Sequence, residues 1–193
     1  MRSFVAESGV EEVCLDYFAD LGWQVLHGPD IAPGEPAEER SSYRDVLLEG
    51  RLRDAVTRLN PQLGHEAVDA VVSTVRRAES PDLMAESWRV HRLVTQGVPV
   101  EVRNEQGELR HDIARLVDFD DARHNDFVVV NQMSVEQNQR TRRPDVLVFI
   151  NGLPLGLIEL KVPGQQRATL RGAWNQIVTI QDPVVSAIRG IAA

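Results

Sequence analysis

The sequence predicts an α/β domain, a mixed β-sheet flanked by helices with a helical insertion after the first strand. Three observations predict it. An amphipathic helical pattern opens the chain, three more helical patterns lie together between about residues 43 and 97, and strand-like apolar runs fill most of the stretch from there to about residue 161. The chain has 193 residues, 42% hydrophobic and 26% charged. That is enough for one domain with a real core and an inserted subdomain. We therefore expect a single domain over residues 1–193, with the insertion at about 41–97.

The first helix is expected from Ser8 to Leu21. Val10, Val13, Cys14, Tyr17, Phe18 and Leu21 recur at helical spacing and define one apolar face. Ser8 with Glu11 three residues on has the form of a capping box. A short strand follows from Trp23 to Leu26, then a loop rich in Pro, Gly and acids, "GPDIAPGEPAEERSS". A second helix is expected from Tyr43 to about Leu59, stopped by Asn60-Pro61. A third covers "HEAVDAVVSTVRRA", with Val68, Ala70, Val71 and Val75 inward. A fourth, "DLMAESWRVHRLVTQG", is opened by Asp82 and ended by Gly97. Beyond them we expect a hairpin turning near Gln106-Gly107, a strand over "NDFVVVNQMSVE", two strands in "RRPDVLVFINGLPLGLIELK", and a last helix from about Thr169 to Ile180.

Composition narrows the function. The net charge is −8 and the pI near 5.1, which counts against a nucleic-acid partner, because duplex binding is driven largely by Lys and Arg neutralising phosphates. A nucleic-acid-acting domain of this charge would need a local basic patch or a partner that holds the substrate. Arg140, Arg142 and Arg143 are one candidate, with a solvated loop the alternative. A single cysteine, Cys14, excludes an internal disulfide. The N-terminus lacks a signal-peptide pattern and no apolar run approaches the roughly 20 residues that span a bilayer, so a cytoplasmic protein with no membrane partner is expected. The five histidines, at 27, 65, 91, 111 and 124, form no zinc pattern. Neither a GxSxG elbow nor a GxxxxGK[ST] loop is present, so Ser186 has no acyl-transfer context and no ATP site is expected in this chain.

The stretch from Arg142 to Lys161 carries charges where core strands need none. On a strand, residues two apart share a face, so Glu159 and Lys161 project together while Ile158 and Leu160 point the other way. With Asp145 across from them, two carboxylates and an ammonium would converge. Two carboxylates are hard oxygen ligands for Mg²⁺, or Mn²⁺, which keeps waters and takes phosphate oxygens. Such an ion orients a water and stabilises charge on phosphate, and Lys161 could position the water or stabilise the developing charge. The alternative is a salt bridge between Glu159 and Lys161 on an edge strand, with Asp145 capping a turn.

Pro-Asp, a spacer, then Glu-x-Lys at a strand end resembles the site of the restriction-endonuclease-like, PD-(D/E)xK nucleases. Together with "LLEGRLRDAVTRLNP", "GVPVEVRNEQGELR" and "ARLVDFDDARHNDFVVVNQMSVE", the chain from about Val10 to Gln181 resembles the N-terminal region of type I restriction enzyme R (endonuclease) subunits. The resemblance implies a Mg²⁺-dependent deoxyribonuclease of a multisubunit complex that cleaves unmodified foreign DNA. Its implied partners are DNA and the methyltransferase and specificity subunits, and in the family ATP-driven translocase domains follow in the same chain. It assigns Asp145 and Glu159 as metal-binding carboxylates, Lys161 as the catalytic lysine, and Glu11 as a further acid directed toward the metal. The family's Gln-x-x-x-Tyr motif supplies Gln176, but Ile180 stands at the tyrosine position. A non-catalytic module that docks on the same complex or on DNA is the other reading.

The turn decides whether the constellation can exist. Directly opposed residues of an antiparallel pair share a face. A plain two-residue Asn151-Gly152 loop would oppose Asp145 to core-facing Ile158 and destroy the site. An odd-length loop or a bulge restores the parity, with Gly152 at positive φ the expected device.

Overall fold

A computed structural model describes residues 7–103, 108–137 and 140–161, together with Arg171 and Trp174. Among the described residues are four α-helices, α1 Glu7–Asp20, α2 Glu49–Leu59, α3 His65–Arg76 and α4 Leu83–Gln96. The strands are β1 Gln24–His27, β2 Val98–Arg103, β3 Leu109–Ala114, β4 Phe127–Asn131, β5 Val135–Gln137, β6 Arg140–Arg142, β7 Val146–Ile150 and β8 Leu153–Ile158. The central sheet runs β1-β4-β7-β8, with β1 and β4 parallel and the other pairs antiparallel. This is a mixed α/β architecture. Parallel neighbours require a crossover, and the crossover from β1 to β4 holds α2 to α4 and a separate β2–β3 hairpin.

Strand β4 is apolar at three consecutive positions, Val128, Val129 and Val130, all fully buried, because the sheet is covered on both faces there. One cluster joins Ile31, Leu48, Val128, Val130, Met133, Leu147 and Phe149. A larger one packs α2 and α3 on β2 and β3, through Leu52, Val56, Val68, Val71, Val75, Val98 and Leu116, and reaches Leu153 of β8.

Several boundaries differ from expectation. Helix α2 starts at Glu49, not Tyr43. Val46, Leu47 and Leu48 are all buried and belong to three different clusters. Three successive side chains can be buried apart in an irregular segment wedged between layers, not on one face of a helix. In α3 the inward residues are Ala67, Val68, Val71, Val72 and Val75, while Ala70 is exposed; two residues past Val68 lies about 200° around the helix. In α1, Val10, Cys14 and Phe18 are half-buried, but Val13, Tyr17 and Leu21 are exposed, so the apolar face is only partly covered. Asp82 caps α4 by accepting from the Ala85 N–H at 2.8 Å, and Gly97 ends it at φ 84°. The expected long strand at 125–136 is broken after Asn131 by Gln132, whose φ is 53°. The C-terminal helix expected at Thr169–Ile180 lies largely outside the described residues, as do Gln176 and Ile180.

The β7–β8 turn combines two devices. Ile150 pairs with Leu153, so the loop is the two-residue Asn151-Gly152, with φ 53° and 77°; both central residues left-handed is the arrangement that suits tight hairpins. Phe149 then pairs with Pro154, but Val148 pairs with Gly156, so Leu155 is an extra residue and β8 carries a bulge. The tip is bolted to its surroundings. The Gly152 carbonyl accepts from the Leu48 N–H at 3.0 Å. The fully buried Asn151 side chain accepts from the Asp126 N–H and donates to Leu116 O and Asn125 Oδ1, each at 2.8 Å.

Candidate active site

The bulge shifts the register of the two strands by one residue. Beyond it, Leu147 pairs with Leu157 and Val146 with Ile158, where the pairing ends; one further step in the same register would set Asp145 opposite Glu159. Opposed residues share a face. Consistent with this, Asp145 Oδ2 accepts from the Leu160 N–H at 2.7 Å. β8 itself stops at Ile158, so Glu159 and Lys161 sit just past its end. Lys161 Nζ donates to Glu159 Oε1 at 2.9 Å, with the Glu159 side chain 1% exposed and that of Lys161 28%. Asp145 is thus held to the Glu159–Lys161 segment through the Leu160 N–H, and the ion pair that the structural alternative requires is present.

Glu11 approaches from α1. Its Oε1 accepts from Asn131 Nδ2 at 2.6 Å and its Oε2 from Gln132 Nε2 at 2.8 Å. The carboxylate is thus turned to the C-terminal end of β4. Burial, and then the negative charge of Glu11, push the nearby Cys14 thiol above its ordinary value. A cleft of about 670 Å³ is lined by Glu11, Glu12, Leu15, His27, Asn131, Gln132, Arg143 and Asp145. It lies at the C-terminal ends of β1 and β4.

The arginines divide. Arg140 and Arg142 lie on β6, alternate residues of one short strand paired with β5, while Arg143 lines the cleft. Arg143 is therefore the one of these three arginines that lies beside Glu11 and Asp145, where the nuclease reading would have it meet a DNA phosphate. Arg143→Ala is expected to weaken binding of short DNA duplexes uniformly across sequences and to reduce the salt slope of binding by about one. Fluorescence anisotropy over a salt series measures both, and an unchanged slope would remove Arg143 from the interface.

Three site residues had not been singled out from the sequence: His27, Asn131 and Gln132. Asn131 Oδ1 and His27 Nδ1 are 2.9 Å apart, and the Gln132 N–H donates to the Asp145 carbonyl at 3.0 Å. The available signal was a polar Asn-Gln pair directly after "VVV", and His27 after "QVL", both at strand C-termini, where open α/β sheets place ligands.

Asp145, Glu159 and Glu11 offer hard oxygen donors, the kind Mg²⁺ takes, and Mg²⁺ needs only one or two carboxylates because it keeps waters. Among the described residues, no three His, Cys, Asp or Glu side chains are already drawn together as a metal-holding group. A larger cleft, about 810 Å³, lies toward the opposite ends of β1 and β4 and is lined by Arg51, Arg58, Arg123 and Asp126 among others. Its central cation Arg51 donates to Glu39, Asp126 and Gln24. Those contacts, Glu39 above all, raise its pKa, so the larger cleft is built around charge pairs of its own. Among the described residues no helix is long and apolar enough to cross a membrane.

Comparison with known proteins agrees with the sequence resemblance. The family model described as type I restriction enzyme R protein N terminus matches residues 5–191. The chain is 36% identical over 179 residues to the type I restriction enzyme HindI endonuclease subunit of Haemophilus influenzae, covering 92% of this chain and 17% of that protein. It is 35% identical over 169 residues to the putative type I restriction enzyme MjaIXP endonuclease subunit of Methanocaldococcus jannaschii, covering 86% of this chain and 16% of that protein. The chain thus spans about a sixth of the length of these relatives.

Proposed function

The chain belongs to the family of type I restriction enzyme R protein N termini, and from that premise we propose that it is a Mg²⁺-dependent DNA endonuclease domain of the restriction-endonuclease-like, PD-(D/E)xK type. It hydrolyses phosphodiester bonds of unmodified foreign DNA in the cytoplasm, as one domain with a helical insertion. The observation that supports this best is the bulge at Leu155, whose register, continued one step past Val146–Ile158, would oppose Asp145 to Glu159. A plain hairpin would have separated them. The methyltransferase and specificity subunits of a type I complex are its partners, and recognition of the target sequence resides with them.

Asp145 and Glu159 would hold Mg²⁺ or Mn²⁺, with Glu11 as a third acid. When bound, the metal supplies Lewis acidity toward the phosphate and a more acidic water. The chain's own groups do the rest. Lys161, held at Glu159, faces the site where water adds to phosphorus and one P–O ester bond breaks. Its ammonium offsets negative charge gathering on the phosphoryl oxygens. Arg143 binds and orients the DNA backbone. The attacking water gives up a proton to solvent and the leaving alkoxide takes one from solvent, so that one side of the cut ends in a hydroxyl and the other in a phosphate monoester.

Two measurements test this. Plasmid nicking should require Mg²⁺ or Mn²⁺ and vanish with EDTA. Calorimetric Mn²⁺ titration should show millimolar-range binding that Asp145→Ala abolishes or weakens, because only two or three protein oxygens and several waters hold the ion. Identical titrations of the two proteins would remove the nuclease reading. The second reading, a non-catalytic docking module, is favoured by the Glu159–Lys161 ion pair, which satisfies both charges without any metal. It predicts DNA or subunit binding with no metal-dependent cleavage.

A further inference from the structure

We propose that Asn131 and Gln132 are positioning residues that set the Glu11 and Asp145 carboxylates relative to one another for metal binding. The inference rests on the metal-dependent reading above and deepens it. Four connections meet at this two-residue break. Asn131 Nδ2 and Gln132 Nε2 each take one oxygen of Glu11, Asn131 Oδ1 lies 2.9 Å from His27 Nδ1, and the Gln132 N–H holds the Asp145 carbonyl. The pair thereby ties α1, β1 and β7 to the end of β4.

The orientation of the amides follows from their partners. Turning either amide over would set its carbonyl oxygen against a carboxylate oxygen, so both must present NH₂ to Glu11. With the Asn131 oxygen facing His27, the imidazole donates from Nδ1. Each Glu11 oxygen accepts one amide hydrogen bond and retains lone-pair capacity for a cation. A glutamate at a helix surface would otherwise sample several rotamers; here its head is clamped at both oxygens before any metal arrives. Fixing carboxylate ligands through outer hydrogen bonds is how metal sites gain affinity and geometry.

The backbone points the same way. Gln132 holds a left-handed φ of 53°, a conformation that costs a residue with a Cβ and is typical of positions kept for another purpose. Glycine would relieve that cost but has no amide to offer Glu11. The break is enforced from outside as well. Gly28 donates its N–H to the Asn131 carbonyl at 2.8 Å, and a Cβ there would lie 2.5 Å from the Met133 backbone. The chain after β1 is pressed against the turn that aims Gln132.

The decisive variant is Gln132→Gly, which removes the amide and relieves the backbone. The melting temperature should hold or rise, while Mn²⁺ affinity measured by calorimetry should fall about 10-fold or more, the effect expected of an outer-shell ligand partner. Combined with Glu11→Ala it should bind no more weakly than Glu11→Ala alone, because Gln132 acts through that carboxylate. Asn131→Ala should also weaken Mn²⁺ binding. A wild type that binds Mn²⁺ with a Gln132→Gly variant of equal affinity overturns the inference and leaves the nuclease reading standing. So does a double variant weaker than Glu11→Ala by the full Gln132→Gly factor. A wild type that binds no Mn²⁺ overturns both.

Discussion

Alanine at Asp145, Glu159 or Lys161 is expected to lower DNA cleavage at least about 10³-fold each, roughly 4 kcal/mol of transition-state stabilisation. The expectation follows from their arrangement as one unit. The bulged register, continued past Val146, would set Asp145 opposite Glu159, and Lys161 is bound to Glu159. Removing any member disables the others, so double variants should lose little more than single ones. Single-turnover cleavage of a plasmid or oligonucleotide duplex measures the loss. The melting temperatures must be compared at the same time, because Lys161→Ala leaves a buried Glu159 carboxylate without that partner, a change that destabilises by itself. Modest, additive losses that track stability would favour the salt-bridge reading of these residues.

Gly152→Ala should give the largest loss of stability among turn substitutions, because the turn is buried. Its φ is 77°, and a Cβ would sit 2.4 Å from the Leu48 carbonyl oxygen and 2.7 Å from the Leu52 nitrogen. Both are backbone atoms at the start of α2, and neither can swing away. A left-handed residue with a Cβ costs about 1 kcal/mol, and forcing atoms into a packed contact adds about 1–3 kcal/mol. For a chain of this size each kcal/mol lowers Tm by about 2–4 °C. A drop of about 5–15 °C in thermal unfolding is expected, and a shift below about 2 °C would show that the hairpin tip does not rest on α2.

The elements with local chemistry were legible in the sequence, and those set by tertiary contact were not. Asp82 and Gly97 bound α4 because a side-chain cap and a left-handed glycine are local devices. Asn151-Gly152 named its own turn for the same reason. Parity reasoning demanded an odd loop or a bulge, and the structure supplies the bulge; which residue would be extra was hidden, since Leu155 carries no local signal. The start of α2 was misplaced because Val46, Leu47 and Leu48 look like helix on periodicity while serving separate layers. At the site, Asp145, Glu159 and Lys161 announced themselves by charge at strand ends. Glu11 had two possible partners, and its carboxylate went to Asn131 and Gln132. Those amides were invisible because their roles depend on a broken strand and on a helix about 120 residues away.

The docking of the hairpin tip onto the insertion also bears on how the protein opens. The Leu48 N–H ends on the Gly152 carbonyl, and Asn151 ties the same tip to Leu116, Asn125 and Asp126. The helices between β1 and β4 therefore cannot peel away without exposing buried polar groups on the β7–β8 hairpin. Insertion and sheet should open as one cooperative unit. In native-state hydrogen exchange the Leu48 amide should be as slow as those of Val129 and Val148 at the sheet centre, and removal of the insertion should unravel the turn that aligns Asp145 with Glu159.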